Sequence, residues 1–177
     1  LFYVHPVSDR YTVAGQGTIA LEILDQHPDV KRVVVPIGGG GLITGVAYTL
    51  KTLKPSVEVV GVMPEGSAVY AESRKIGKLI TLERCASMAD AVVRKTGEEY
   101  LYPYIEKYVD QILTVSEDSL KQAVKLACIY GKLTLEGAAV LPLAAILEGK
   151  TQPGSDTVLI CSGGNIDQKV LLDCLNA

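Results

Sequence analysis

At 177 residues with 48% apolar side chains, the chain is long enough for one ordinary core and too apolar for intrinsic disorder. A formal net charge of −3 leaves no basic surplus for a nucleic-acid backbone, and no Lys/Arg cluster is interleaved with aromatics, so nucleic acid is not an expected partner. The apolar runs are too short or too glycine-rich for a spanning helix, and no charged segment followed by an apolar one opens the chain; neither membrane nor export is expected.

The chain opens on Leu1 and not Met, which reads as a cut or processed start. His5 and His27 stand far apart beside prolines, without a Ser, Cys or Asp partner motif, and read as structural or surface residues. Residues 15–27, GQGTIALEILDQH, carry Ile19, Leu21, Ile23 and Leu24 behind a Gly/Thr start and predict a short amphipathic helix. KRVVVPI, residues 31–37, predicts a strand covered on both faces, because β-branched valines in an unbroken run suit a doubly buried strand. LITGVAYTLKTLKP has helical spacing and stops at Pro55; VEVVGV is the next strand, completing a βαβ unit.

VDQILTVS predicts a third strand, and Ser116 is the N-cap candidate for the helix behind it. GAAVLPLAAILEGK, residues 137–150, predicts a small-residue helix. DTVLICSGGN predicts the last strand and IDQKVLLDCL a closing helix. The alternation predicts an α/β fold: a three-layer parallel sheet with helices on both faces, in a single domain over residues 1–177. Cys85, Cys128, Cys161 and Cys174 are scattered without a CxxC pair, which points to buried thiols in a reducing cytoplasm and to no zinc site.

Four consecutive glycines, Gly38 to Gly41, join the first strand to the helix beginning at Leu42. Such a junction aims backbone N–H groups from the positive end of a helix, and the missing side chains let an anion approach closely. The dinucleotide fingerprint fits poorly, since Ile43 or Thr44 occupies its last glycine position and Met63 stands where a ribose-binding acid is needed; no GK[ST] follows for a Walker loop. A second glycine cluster, CSGGN at 161–165, also sits between strand and helix and belongs at the same carboxyl edge of the sheet. On spacing alone Ser162 is a turn or cap serine.

In order and spacing, AGQGTIALEIL, VVVPIGGGGL and SGGNID resemble the second half of the pyridoxal-phosphate enzymes related to threonine and serine dehydratases and serine racemase, of fold type II (tryptophan synthase β-like). HPVSD, MAD at 88–90, TVSED at 114–118 and KLTLEGAA at 132–139 match with lower specificity. The resemblance implies the large, C-terminal domain of such an enzyme, with pyridoxal 5'-phosphate as cofactor. It implies that Gly38, Gly39, Gly40, Gly41 and Leu42 hold the cofactor phosphate and that Ser162 hydrogen-bonds the pyridine nitrogen. Glu136 matches an acidic position near the cofactor and is the one catalytic candidate; here Gly137 follows where proline is common, and a solvated glutamate is the alternative.

The family's Schiff-base lysine lies in a Ser-x-Lys motif upstream, and none of the twelve lysines here sits in one. The chain is therefore expected to lack the lysine-bearing N-terminal segment and most of the small domain, and to be inactive alone. Its expected partners are the N-terminal half of the same enzyme, a small amino-acid substrate and further copies in a homo-oligomer. The racemase branch builds a divalent-metal site where this chain reads GVMPEGSAVYAE; Met63 and Val69 replace carboxylates, so no metal is expected. The implied function is deamination of threonine or serine to a 2-oxo acid and ammonia, with amino-acid racemisation and a non-catalytic phosphate-binding module as the rivals.

Overall fold

Three valines in a row put side chains on alternate faces of a strand, and here both faces are covered. In the computed structural model, which describes residues 3–177, β1 (Arg32–Pro36) sends Val33 and Val35 into one core and Val34 into another. Leu1, on which the reading of a processed start rests, lies outside the described residues. The other strands are β2 (Glu58–Pro64), β3 (Gln111–Val115) and β4 (Thr157–Leu159), all parallel in the order β3-β2-β1-β4.

One face is covered by α1 (Arg10–Gln26), α2 (Gly41–Leu53), α3 (Val69–Ile76) and α4 (Tyr102–Tyr108), whose Ala20, Ile43, Val46, Leu50, Tyr70 and Ile105 pack on Val33, Val35, Val59 and Met63. The other is covered by α5 (Glu117–Ile129), α6 (Leu141–Leu147) and α7 (Gln168–Leu175), which bring Leu120, Val124, Leu141, Ala144 and Cys174 onto Val34, Val60 and Val62. The expected three-layer α/β architecture is present. Among the described residues no helix is long and apolar enough to cross a membrane.

Several boundaries differ from expectation. The first helix starts at Arg10, not at Gly15, because Asp9 caps it by accepting from the Tyr11 and Thr12 amides. Gly17 lies inside this helix for a different reason: a Cβ there would come within 2.6 Å of Thr49 Oγ1, so α2 crosses α1 where side chains are absent. Residues 137–140 form turns before α6, and β4 has three residues. Helices α3 and α4 lie in the stretch between β2 and β3.

Ser116 does cap α5, its hydroxyl accepting from the Ser119 amide. It shares that corner with Glu148, whose carboxylate accepts from the Ser116 amide and hydroxyl and pairs with Lys150. Burial opposes ionisation of Glu148, but the Lys150 ammonium, the Ser116 amide and the Ser119 and Ser116 hydroxyls outweigh it and bring its pKa down to about 2 from 4.5. A depressed carboxylate stabilises the fold above its unfolded pKa, and that contribution drains as pH falls from about 4.5 towards 2. Glu148→Gln is expected to lose about 1–3 kcal/mol at pH 7, through hydrogen bonds to a charged group, and much less at pH 3. Urea midpoints at the two pH values check this; an equal loss at both would contradict it.

Candidate functional site

Because β1 and β4 are parallel neighbours, with Val34 opposite Leu159 and the Ile160 amide donating to Val34 O, the chain leaves both strands at one edge. The first exit is the glycine run and the second is Cys161–Ser162. The two loops meet across a cavity of about 200 Å³ lined by Gly38 to Leu42, Ser162, Pro6, Val7, Ala91, Val92 and Arg94. All five residues singled out in the first loop, and Ser162 in the second, are thus brought together.

The glycines are required by contact as well as by conformation. A Cβ would meet Val92 Cα at 3.0 Å from Gly38, Val7 Cγ1 at 2.6 Å from Gly39 and Val7 O at 2.7 Å from Gly41, while Gly40 has a left-handed φ of 97°. The amide of Ile37 is the last in this stretch bound within the sheet, donating to Val62 O. Among the described residues the amides of Gly38, Gly39, Gly40, Gly41 and Leu42 donate to no protein acceptor; the next bonded amide is that of Thr44, to Gly40 O. Unpaired amides at the N-terminus of a 13-residue helix, around a cradle that any side chain would fill, fit a phosphate ester. Arg94, exposed and in no ion pair among the described residues, adds a positive charge to the same lining.

Ser162 is exposed and its hydroxyl makes no hydrogen bond to the protein among the described residues, so it is not the cap or turn serine that spacing alone allowed. Asp167 caps the following helix instead, accepting from Lys169 and Val170 amides. Glu136 is half-buried outside the cavity lining: its amide donates to Gly163 O at 3.2 Å, and a Cβ on Gly163 would reach its Oε1 at 2.6 Å. The carboxylate therefore lies against the loop that carries Ser162.

The lower-specificity motifs converge beneath this site. Glu117 Oε2 accepts from the Met88 amide at 2.9 Å, and Gly137 lets Ala89 approach, since a Cβ there would lie 2.9 Å from Ala89 Cα. TVSED and LEGAA thus hold MAD, and MAD leads directly into Ala91, Val92 and Arg94 of the lining. Two site features escaped the sequence reading. Arg94 has no local signal, and Tyr70, fully buried, reaches the glycine loop from α3 with its hydroxyl 2.8 Å from Gly39 O and 2.8 Å from the Glu98 amide. Met63 and Val69 are buried in the core, and among the described residues no lysine lines the cavity. His5 caps a turn, its Nδ1 accepting from the Val7 and Ser8 amides, while His27 Nε2 lies 2.9 Å from Ser155 O.

Three comparisons bear on the site. The profile of the family described as "Pyridoxal-phosphate dependent enzyme" matches residues 1–163. The L-threonine ammonia-lyase of Thermotoga maritima is 36% identical over 98% of this chain and 43% of its own length. The processed form of threonine deaminase isoform 2 from Solanum lycopersicum superimposes with a TM-score of 0.92 at 32% identity, over 99% of this chain and 52% of that one; maize serine racemase does so with 0.88 at 34%, over 98% and 54%. The chain spans about half the length of the curated relatives it matches.

Proposed function

This chain belongs to the pyridoxal-phosphate dependent enzyme family, and we propose that it is the cofactor-anchoring half of an ammonia-lyase that converts threonine or serine to a 2-oxo acid and ammonia. The observation that carries the proposal is the row of unpaired amides from Gly38 to Leu42 facing Ser162 across one cavity. Relatives named as threonine ammonia-lyase and threonine deaminase support the reaction class. Bound pyridoxal phosphate supplies an electron sink that acidifies the α-proton of an amino acid and lets a β-hydroxyl depart.

In this reading the amides of Gly38, Gly39, Gly40, Gly41 and Leu42 bind the phosphate ester, with the N-terminus of α2 and Arg94 supplying positive charge. The Ser162 hydroxyl hydrogen-bonds the pyridine nitrogen. An alcohol is too weak an acid to hand that nitrogen its proton, so it keeps the sink moderate, as suits elimination of a hydroxyl. Glu136 orients Gly163 and Ser162 from behind. The lysine that carries the cofactor and moves the α-proton comes from a segment outside residues 1–177, which form the large domain. The intact protein is then a cytoplasmic homo-oligomer whose N-terminal half closes the cavity. The likeness to maize serine racemase keeps racemisation as a second reading; the buried apolar Met63 and Val69, where that branch places metal-binding carboxylates, favour the lyase.

The test mixes this chain with the N-terminal half of the Thermotoga maritima relative, pyridoxal phosphate and L-threonine. We expect 2-oxobutanoate from the mixture and none from either half. Appearance of D-threonine or D-serine without a 2-oxo acid would select the racemase, and cofactor binding with no turnover in any combination would select the non-catalytic module.

A further inference from the structure

Tyr70 is the one fully buried tyrosine among the described residues, and it is placed with unusual constraint. Its ring has room only because two neighbours are glycines: a Cβ on Gly97 would come within 2.6 Å of the ring carbons, and one on Gly40 would lie 3.0 Å from the phenol oxygen. The hydroxyl bridges two backbone groups. The Glu98 amide can only donate, so it donates to the phenol oxygen at 2.8 Å; the single phenol proton is left for Gly39 O, also at 2.8 Å. Burial pushes the phenol pKa up to about 12, so that proton stays in place throughout the neutral range.

The consequence follows from peptide geometry. No cis peptide is present among the described residues, so the Gly39 carbonyl and the Gly40 N–H point in opposite directions across one plane. With the carbonyl tied into the core by Tyr70, the Gly40 N–H is turned out to the cavity that Gly40 lines, where it has no protein acceptor. A peptide between two glycines has little of its own to hold it, since both residues reach positive and negative φ with similar ease. Rotated by half a turn, the same plane would offer an anion its carbonyl oxygen and withdraw a donor. That rotation would also leave the phenol proton buried without an acceptor, which is costly.

We propose that Tyr70 is a positioning residue that locks the Gly39–Gly40 peptide with its N–H towards the anion, and that through the Glu98 amide it ties this plane to the strand of chain carrying Arg94 into the same cavity. The proposal rests on the reading of the glycine loop as a phosphate cradle. Tyr70 touches neither anion nor substrate; it acts by keeping one peptide the right way round.

The test is Tyr70→Phe in the full chain, which keeps the ring in its slot and removes only the hydroxyl. Affinities for inorganic phosphate, pyridoxal phosphate and pyridoxal are measured well below the unfolding midpoint. Loss of one charge-assisted donor predicts a roughly tenfold to hundredfold weakening for both phosphate-bearing probes and little change for pyridoxal. Leu120→Ala, in the opposite core, supplies a comparison of lowered stability with phosphate affinity kept. If Tyr70→Phe loses stability yet binds phosphate as the parent does, Tyr70 is merely structural and the inference is wrong. Should the variant not fold, amide spectra of the parent decide: on adding phosphate the Gly40 proton must move downfield, and a stationary Gly40 signal with phosphate bound overturns the lock. A parent chain that binds neither phosphate nor pyridoxal phosphate removes the cradle itself and the inference with it.

Discussion

Gly40→Ala is expected to weaken pyridoxal-phosphate binding by roughly a hundredfold, the equivalent of losing one or two amide-to-anion hydrogen bonds. Two effects act together. At a φ of 97° an alanine carries about 1–3 kcal/mol of backbone strain, and its methyl would lie 2.8 Å from Ile105 Cδ1 and 3.0 Å from the Tyr70 hydroxyl. The loop relieves both by moving towards the cavity, which spoils the convergence of its amides. Gly149→Ala separates strain from crowding: Gly149 has a φ of 67° with nothing within 4 Å of a Cβ, and it is not a residue of the lining. That variant should lose about 1 kcal/mol of stability and bind the cofactor unchanged. Titration calorimetry on both variants distinguishes the outcomes, and equal binding by Gly40→Ala and the parent would remove the loop from the site.

What could be read in advance, and what could not, follows from how far apart the partners lie in sequence. The valine runs of β1 and β2 announce a doubly covered sheet because burial on both faces leaves no polar alternation. The glycine run and CSGGN are legible because each is a local strand-to-helix junction, and the parallel pairing of β1 with β4 brings them face to face. Tyr70 was illegible: its partners, Gly39 and Glu98, are 31 and 28 residues away, and a tyrosine in a short helix carries no mark of the backbone groups it will meet. The same holds for Arg94, whose backbone is held by the Ser67 hydroxyl, 27 residues away, and whose preceding segment is held by Glu117 and Gly137. Misplacing the start of α1 has the opposite cause. Gly15 and Gly17 look like a helix opening, whereas the opening is the Asp9 cap and the glycines sit within the helix.

Gly17 faces Gly45 of α2, and that contact yields the second large effect, on stability. Gly45→Ala is expected to cost about 3 kcal/mol or more, at the upper end of overpacking, because its Cβ would fall 2.4 Å from Val13 O and 2.7 Å from the Gly17 amide nitrogen. Both obstacles are backbone atoms, so no side chain can rotate away and α1 must separate from α2. The gain in helix propensity, about 1 kcal/mol for alanine over glycine, does not offset this. Gly17→Ala should behave in the same direction but more mildly, since its nearest obstacle, Thr49 Oγ1 at 2.6 Å, belongs to a side chain. Gly15→Ala should do the reverse: nothing lies within 4 Å of its Cβ and its φ is ordinary, so the variant is expected to be stabilised by up to about 1 kcal/mol. Urea midpoints of the three variants test the sequence of signs. Because the turn leading into α1 sets Pro6 and Val7 against the glycine loop, Gly45→Ala should also weaken phosphate binding while Gly15→Ala leaves it intact. A Gly45→Ala chain as stable as the parent would mean that the two helices do not meet backbone to backbone, and that the wall of the cavity built by Val7 is set by something other than their contact.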